Sequence, residues 1–183
     1  MFIVFEGTDG SGKSTLSKRL AEERKYYWTR EPTFTSEQAD FLNLRLKSGV
    51  KREVEFLIDR IKHLEQLSSK EVWIEVHKDT IVCDRYIWSG LAYCLVFNPE
   101  AYSFITQLYQ HSFFRKPDLY VFMNTKPEIC VERRNKTVQL ETIRQLYNAY
   151  QITRQIIEKD SKVIVINGDQ NKDACFEQLI KIV

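Results

Sequence analysis

The residues with the clearest chemistry lie near the N-terminus, in a loop with the spacing Gly-x-x-x-x-Gly-Lys-Ser. This loop follows an apolar segment, Phe2 to Phe5, and leads into a helical pattern. Its glycines allow backbone N–H groups to close around a phosphate, and the N-terminus of the next helix adds positive partial charge. Lys13 is expected to hold the β- and γ-phosphates, and the Ser14 hydroxyl to bind Mg²⁺. The residues predicted to bind a nucleoside triphosphate are Gly7, Thr8, Asp9, Gly10, Ser11, Gly12, Lys13, Ser14 and Thr15.

Apolar segments alternate with amphipathic stretches along the rest of the chain. This alternation is typical of an α/β fold in which a five-stranded parallel sheet has helices on both faces. Ligands then bind beyond the carboxyl ends of the strands, where Gly7, Arg30 and Asp84 are expected. The predicted strands are 2–5, 26–29, 80–83, 118–123 and 163–166. The predicted helices are 14–25, 35–46, 52–77, 86–93, 100–114, 138–159 and 171–182, with one more that begins at Pro127 and runs through Arg133-Arg134-Asn135-Lys136.

Length and composition limit the classes of function. A chain of 183 residues suits one domain, residues 1–183, and a net charge of +2 does not by itself indicate a nucleic-acid partner. The cysteines form no Cys-x-x-Cys pair, which favours free thiols in a reducing compartment over a metal site or disulfides. No signal peptide and no apolar run of about 20 residues is found. We therefore expect a soluble cytoplasmic protein without a membrane partner.

Four motifs occur in an order that resembles the thymidylate kinases. The resemblance is specific from residue 2 to about residue 124 and looser beyond it. It implies the three-layer P-loop NTPase fold, a short lid at about 132–142, a homodimer, and transfer of the γ-phosphoryl group of ATP to dTMP with Mg²⁺. The motifs are Phe5-Glu6-Gly7-Thr8-Asp9-Gly10-Ser11-Gly12-Lys13-Ser14-Thr15, Thr29-Arg30-Glu31-Pro32, Phe56-x-x-Asp59-Arg60-x-x-His63 and Asp84-Arg85-Tyr86-x-x-Ser89-Gly90-x-Ala92-Tyr93.

The resemblance assigns the phosphate and sugar contacts of the acceptor nucleotide. Asp9 corresponds to the acidic residue that contacts the deoxyribose 3′-hydroxyl. Arg30 and Arg85 are expected to hold the acceptor phosphate, because a planar guanidinium can bind two phosphate oxygens. Asp84 is expected to act on Mg²⁺ through water. Tyr93 corresponds to the aromatic residue that crowds the 2′ position and disfavours ribonucleotides.

The resemblance also assigns the contacts of the base. Phe56 corresponds to the residue that stacks on thymine and Arg60 to the one that binds its carbonyl edge. Their spacing of four residues places both on one helix face. Ser89 is expected to make a second base contact, and His63 to support Arg60 without reacting.

The basic stretch Arg133-Arg134-Asn135-Lys136 stands where the family carries its lid. Arg133 and Arg134 are the candidate catalytic arginines, because the loop Asp9-Gly10-Ser11 provides none, and Arg133 is also a candidate to stack on adenine. Which of the two arginines is catalytic and which contacts adenine stays open. The simpler alternative is that this basic stretch is only the solvated face of a helix.

Three departures from the family pattern weaken the prediction of thymine specificity. The segment between Arg134 and Tyr147 looks shortened. Thr33-Phe34-Thr35 replaces glycines near the acceptor phosphate, so that loop is expected to be stiffer or differently shaped, and Cys94 replaces glutamine. One alternative is a deoxynucleoside kinase, in which Glu31 would be the base. A second alternative is a non-catalytic nucleotide-binding module.

Overall fold

The computed structural model describes residues 1–34, 38, 49–68 and 80–183. The helix predicted at 35–46 therefore falls outside the described residues, apart from residue 38. The same applies to the C-terminal part of the helix predicted at 52–77, from residue 69 onwards.

A five-stranded parallel sheet forms the centre of the molecule, in the order β2-β3-β1-β4-β5. The central strand β1 is buried at all five positions, as its uninterrupted apolar run predicts. The predicted fold class is confirmed. The strands are β1 Phe2–Glu6, β2 Tyr27–Arg30, β3 Ile81–Asp84, β4 Leu119–Asn124 and β5 Lys162–Asn167.

Helices cover both faces of the sheet. None of the helices within the described ranges is long and apolar enough to cross a lipid bilayer. A 3₁₀ turn, Pro99–Ala101, precedes the fourth helix. The helices are α1 Lys13–Arg24, α2 Gly49–Ser68, α3 Ile87–Phe97, α4 Tyr102–Tyr109, α5 Pro127–Arg133, α6 Leu140–Ile157 and α7 Lys172–Ile180.

Two predicted helix boundaries were wrong. The helix expected at 100–114 ends at Tyr109, and residues beyond it form turn-type bonds such as the one from the Phe114 N–H to the His111 carbonyl. The helix expected to run through the basic stretch ends at Arg133. It stops there because Asn135 and Lys136 adopt left-handed backbone angles, with φ of 50° and 58°.

Alternate residues of β1 face two separate apolar cores. Phe2 and Val4 pack in the core beneath α3 and α6, whereas Ile3 and Phe5 pack in the core beneath α1 and α7. Successive side chains of a strand point to opposite faces. Glu6 therefore shares the face of Phe2 and Val4, and its carboxylate enters the α3–α6 side of the sheet.

The strand register aligns the candidate residues at one edge of the sheet. Asp84 of β3 is level with Phe5 of β1 on one side and with Arg30 of β2 on the other. Glu31 and Arg85 follow these strands directly. Because all the strands are parallel, the phosphate loop and these side chains leave the sheet at the same edge.

Candidate active site

The phosphate loop joins β1 to α1 and adopts the backbone that its glycines allow. Gly7, Gly10 and Gly12 have φ of 146°, 83° and 98°. A Cβ atom at Gly10 would lie 2.3 Å from the carbonyl oxygen of Cys130 in α5. The loop is thus packed against α5, and a side chain at Gly10 would not fit.

Lys13 is buried beneath the loop. Its Nζ donates to the Thr8 carbonyl at 3.1 Å and lies 3.8 Å from the Asp9 carboxylate. Burial, with the nearby charge of Arg85, lowers the pKa of Lys13 to about 8. The ammonium is therefore mostly protonated at neutral pH. A bound phosphate would favour the protonated form and raise the pKa of Lys13 again.

Arg85 connects the phosphate loop to the helices. Its Nη2 donates to the Asp9 carboxylate at 2.6 Å, and its Nη1 donates to the Ser89 hydroxyl at 3.0 Å. The Tyr93 hydroxyl donates to the other Asp9 oxygen at 2.9 Å. Burial alone would raise the pKa of Asp9, but the charges of Arg85 and Lys13 outweigh it and hold that pKa below its usual range. The structure thus brings Asp9, Arg85, Ser89 and Tyr93 together, as the sequence predicts.

A cleft of about 280 Å³ opens beside this cluster, near the lower limit for small-molecule sites. Arg52, Glu53 and Phe97, which the sequence analysis did not select, also line it. Arg30 is exposed at the end of β2 and is not among the described residues that line the cleft. The predicted substrate residues that do line it are Asp9, Phe56, Arg60, Arg85, Ser89 and Tyr93.

Arg60 is fixed on α2 by buried partners. Its Nε donates to Glu31 and its Nη1 to the Tyr109 hydroxyl. The other Glu31 oxygen lies 3.0 Å from His63 Nδ1, and His63 Nε2 lies 2.6 Å from the Thr29 hydroxyl. His63 thus supports Arg60 through the carboxylate that both contact. Glu31 is engaged by two protein groups.

The loop after Pro32 contacts the helix that carries the base-binding candidates. The Thr33 N–H donates to the Asp59 carboxylate at 2.9 Å, and the Phe34 ring lies 5.6 Å from the ring of Phe56. Thr35 is outside the described residues. Thr33 and Phe34 therefore attach this loop to α2.

Asp84 and Ser14 are the predicted metal-binding residues. Asp84 is 5% exposed, and among the described residues its Oδ1 is buried without a hydrogen-bond partner. Ser14 is exposed in the first turn of α1. No group of three or more His, Cys, Asp or Glu side chains in the described ranges could hold a metal. This arrangement fits Mg²⁺, which usually takes one or two protein oxygens together with substrate phosphates.

The two arginines that were predicted to act from a lid differ in position. Arg133 Nη2 donates to the Gln170 carbonyl at 3.0 Å, and its Nη1 would lie 3.9 Å from a Cβ atom at Gly12. Arg134 is exposed beyond the end of α5. The structure thus brings Arg133 to the edge of the phosphate loop.

Glu6 and Tyr150 contact residues of the site although the sequence analysis assigned them no role: Glu6 contacts Ser89, and Tyr150 contacts both Ser89 and Arg85. Glu6 is fully buried and accepts the backbone N–H groups of Tyr86 and Ser89 at 2.8 and 3.1 Å. Burial raises the pKa of Glu6 to about 7. Strand alternation from Phe2 could have placed Glu6 on the α3–α6 side, but no sequence pattern marks Tyr150.

Comparisons with known proteins show the family and the fold that the chain shares. The sequence profile described as thymidylate kinase matches residues 5–179. A probable thymidylate kinase from Methanocaldococcus jannaschii is 35% identical over 140 residues, 73% of this chain and 69% of that protein. A thymidylate kinase from Caldicellulosiruptor saccharolyticus is 32% identical and aligns with 100% of this chain and 95% of its own length. The solved structure of a deoxyadenosine kinase from M. mycoides with bound dATP has a TM-score of 0.75 at 18% identity, covering 99% and 98% of the two chains, which shows a shared fold. The chain belongs to the thymidylate kinase family.

Proposed function

We propose that this chain transfers the γ-phosphoryl group of ATP to dTMP, giving dTDP and ADP. The observation that carries the proposal is the position of Arg85. It is bonded to Asp9 in the phosphate loop and at the same time lines the cleft that contains Phe56 and Arg60. One cation thus lies between a site for the donor triphosphate and a site for a second nucleotide.

The donor side is formed by the phosphate loop and α1. Lys13 would neutralise the β- and γ-phosphates, and the loop N–H groups would surround them. Arg133 is the better placed of the two arginines to meet charge on the transferring group or to contact adenine, since it lies beside Gly12. Arg134 remains a candidate that would need a movement of the lid.

The acceptor side is formed by α2 and α3. Phe56 offers a partly exposed ring for stacking, and Arg60 is held rigidly enough to bind a carbonyl edge. The Asp9–Tyr93 pair would meet the sugar. Arg85 would hold the acceptor phosphate, with Arg30 joining it from the end of β2. Phosphoryl transfer depends mainly on such positioning and on charge neutralisation.

Mg²⁺ would be held by Ser14 and Asp84. When bound, it would neutralise charge on the phosphates of the donor. The buried, unpaired Oδ1 of Asp84 supports this assignment.

A deoxynucleoside kinase would require Glu31 to accept a proton from the substrate hydroxyl. Glu31 already accepts from Arg60 and lies 3.0 Å from His63, which argues against that role.

We further propose a cytoplasmic homodimer. The four cysteines are free and buried, as expected in a reducing compartment. Analytical ultracentrifugation would measure whether the protein is a dimer.

The substrate assignment is tested by incubating the protein with Mg²⁺-ATP and either dTMP or thymidine. We expect ADP and dTDP with dTMP and no product with thymidine. Turnover of thymidine alone would support the deoxynucleoside kinase. Absence of turnover with a panel of monophosphates would support the non-catalytic module.

The donor assignment is tested with Lys13→Ala. We expect the variant to remain folded by circular dichroism and to lose phosphoryl transfer by about 10³-fold or more, because it lacks the ammonium that would neutralise the β- and γ-phosphates. Lys18→Ala, on the exposed side of the same helix, is the matched control and should stay active. Retained activity of Lys13→Ala would overturn the donor site.

A further inference from the structure

One side of Arg85 is held by two buried hydroxyl groups. Its Nη1 donates to Ser89 Oγ at 3.0 Å and to the Tyr150 hydroxyl at 3.2 Å. The two hydroxyl oxygens are 2.7 Å apart, and Ser89 donates to the carboxylate of Glu6. Tyr150 and Glu6 are fully buried, and Ser89 is 6% exposed.

The hydrogen bonds of this buried group have one consistent direction. A guanidinium only donates, and the single hydroxyl hydrogen of Ser89 goes to Glu6. The Tyr150 hydroxyl accepts from Arg85, so its own hydrogen can go to Ser89 Oγ at 2.7 Å or to Glu6 Oε2 at 3.4 Å. The chain of bonds thus runs from the Arg85 cation to the Glu6 carboxyl group.

The other side of Arg85 faces the cleft. Its Nη2 donates to Asp9, whose side chain is 45% exposed. The Asp9 side is therefore an open approach to the guanidinium for an incoming phosphate. The backbone of Arg85 is also unusual, with φ of 75°. A non-glycine residue keeps this conformation only when its surroundings hold it firmly.

We propose that Tyr150 is a positioning residue for phosphoryl transfer, and that Tyr150, Ser89 and Glu6 together form a buried anchor for Arg85. The anchor holds Nη1 and so orients Nη2 towards the acceptor phosphate. Tyr150 does not touch the substrate in this scheme. The inference rests on the proposed role of Arg85. A guanidinium oriented before the substrate arrives needs no reorganisation during the reaction.

The test is Tyr150→Phe, which keeps the buried ring and removes only the hydroxyl. We expect kcat/KM for dTMP to fall by about 10- to 100-fold, the usual loss for a hydrogen bond to a charged group, with little change in KM for ATP. The control is Tyr147→Phe, one turn earlier on α6. It loses a 2.8 Å bond to Asn124 and should leave the kinetics with dTMP unchanged.

A double-mutant cycle separates positioning from a general loss of stability. If Tyr150 acts through Arg85, adding Tyr150→Phe to an Arg85→Lys enzyme should cause little further loss. Should Tyr150→Phe fail to fold, Glu6→Gln replaces it with the same expected pattern, because Glu6 belongs to the anchor and is not among the described residues that line the cleft. A wild-type enzyme without dTMP turnover would overturn the proposed function. An active wild type whose Tyr150→Phe variant keeps full kcat/KM, or shows the same loss in both backgrounds, would overturn this inference alone.

Discussion

Asp9 is the carboxylate that joins the two halves of the site. It lies 3.8 Å from the Lys13 ammonium and accepts from Arg85 and from the Tyr93 hydroxyl. Because these cations keep its pKa below the usual range, Asp9 stays ionised at any pH where the enzyme would work. A bound substrate would therefore compete with Asp9 for Arg85, and the exposure of Asp9 allows that exchange.

Phe56 is expected to contribute more to dTMP binding than to folding, since its ring is only partly buried. Phe56→Ala should raise KM for dTMP by an amount equivalent to about 1–3 kcal/mol, the usual value of stacking between a base and an aromatic ring, with a smaller effect on KM for ATP. Steady-state kinetics with each substrate varied in turn would measure both. Phe104→Ala, at an exposed ring on α4, is the control. Equal losses for both substrates would indicate a role in packing.

At the scale of elements, the phosphate loop packs against α5, the helix next to the segment proposed as a lid. Gly10 meets the backbone of Cys130, which cannot move without moving α5, and the Thr8 hydroxyl lies 3.3 Å from Cys130 Sγ. Arg133 ends the same helix. A shift of the loop would therefore be transmitted directly to α5 and to Arg133 at its end.

Gly10→Ala and Gly12→Ala provide a matched test of this contact. Both positions have positive φ, so both variants carry the cost of placing a side chain on this backbone conformation. At Gly10 the new Cβ would lie 2.3 Å from the Cys130 carbonyl oxygen, whereas at Gly12 the nearest atoms are side-chain atoms at 3.9 Å. Gly10→Ala should lower the free energy of unfolding by about 1–3 kcal/mol more than Gly12→Ala. Chemical denaturation without nucleotide would measure the difference. Equal decreases in the free energy of unfolding would mean that α5 shifts to make room for the new Cβ atom.

At the scale of the whole molecule, Glu6 couples folding to pH. Burial raises its pKa from 4.5 to about 7, so between these values the folded state binds this proton more tightly than the unfolded state does. The free energy of unfolding should therefore fall as pH rises through that window, by up to about 3 kcal/mol from this group.

Glu6→Gln removes this titration and leaves the other groups in place. Denaturation of both proteins from pH 4.5 to 7.5 should show a steeper fall for the wild type than for the variant. The offset between the two curves at low pH reports the altered hydrogen bonding and is not part of the test. Parallel curves would contradict the assignment of a raised pKa to Glu6.

Much of the fold follows from local patterns in the sequence. The apolar runs at β1 and β4 are uninterrupted, and the glycine spacing of the loop defines a backbone that few sequences can form. The ends of helices were harder to predict. The turn after Tyr109 and the left-handed Asn135 and Lys136 depend on local backbone angles that periodicity does not encode.

The sequence by itself determined that the chain has a phosphate loop at the edge of a parallel sheet, because both features depend on residues close together in the chain. Only the tertiary structure decided that Glu31 links Arg60 to His63, that Arg133 reaches the phosphate loop, and that Glu6 meets Tyr150. The last two residues are 144 positions apart. Contacts over such separations depend on the order of the strands and on the rotation of each helix against the sheet, which no short pattern of residues specifies.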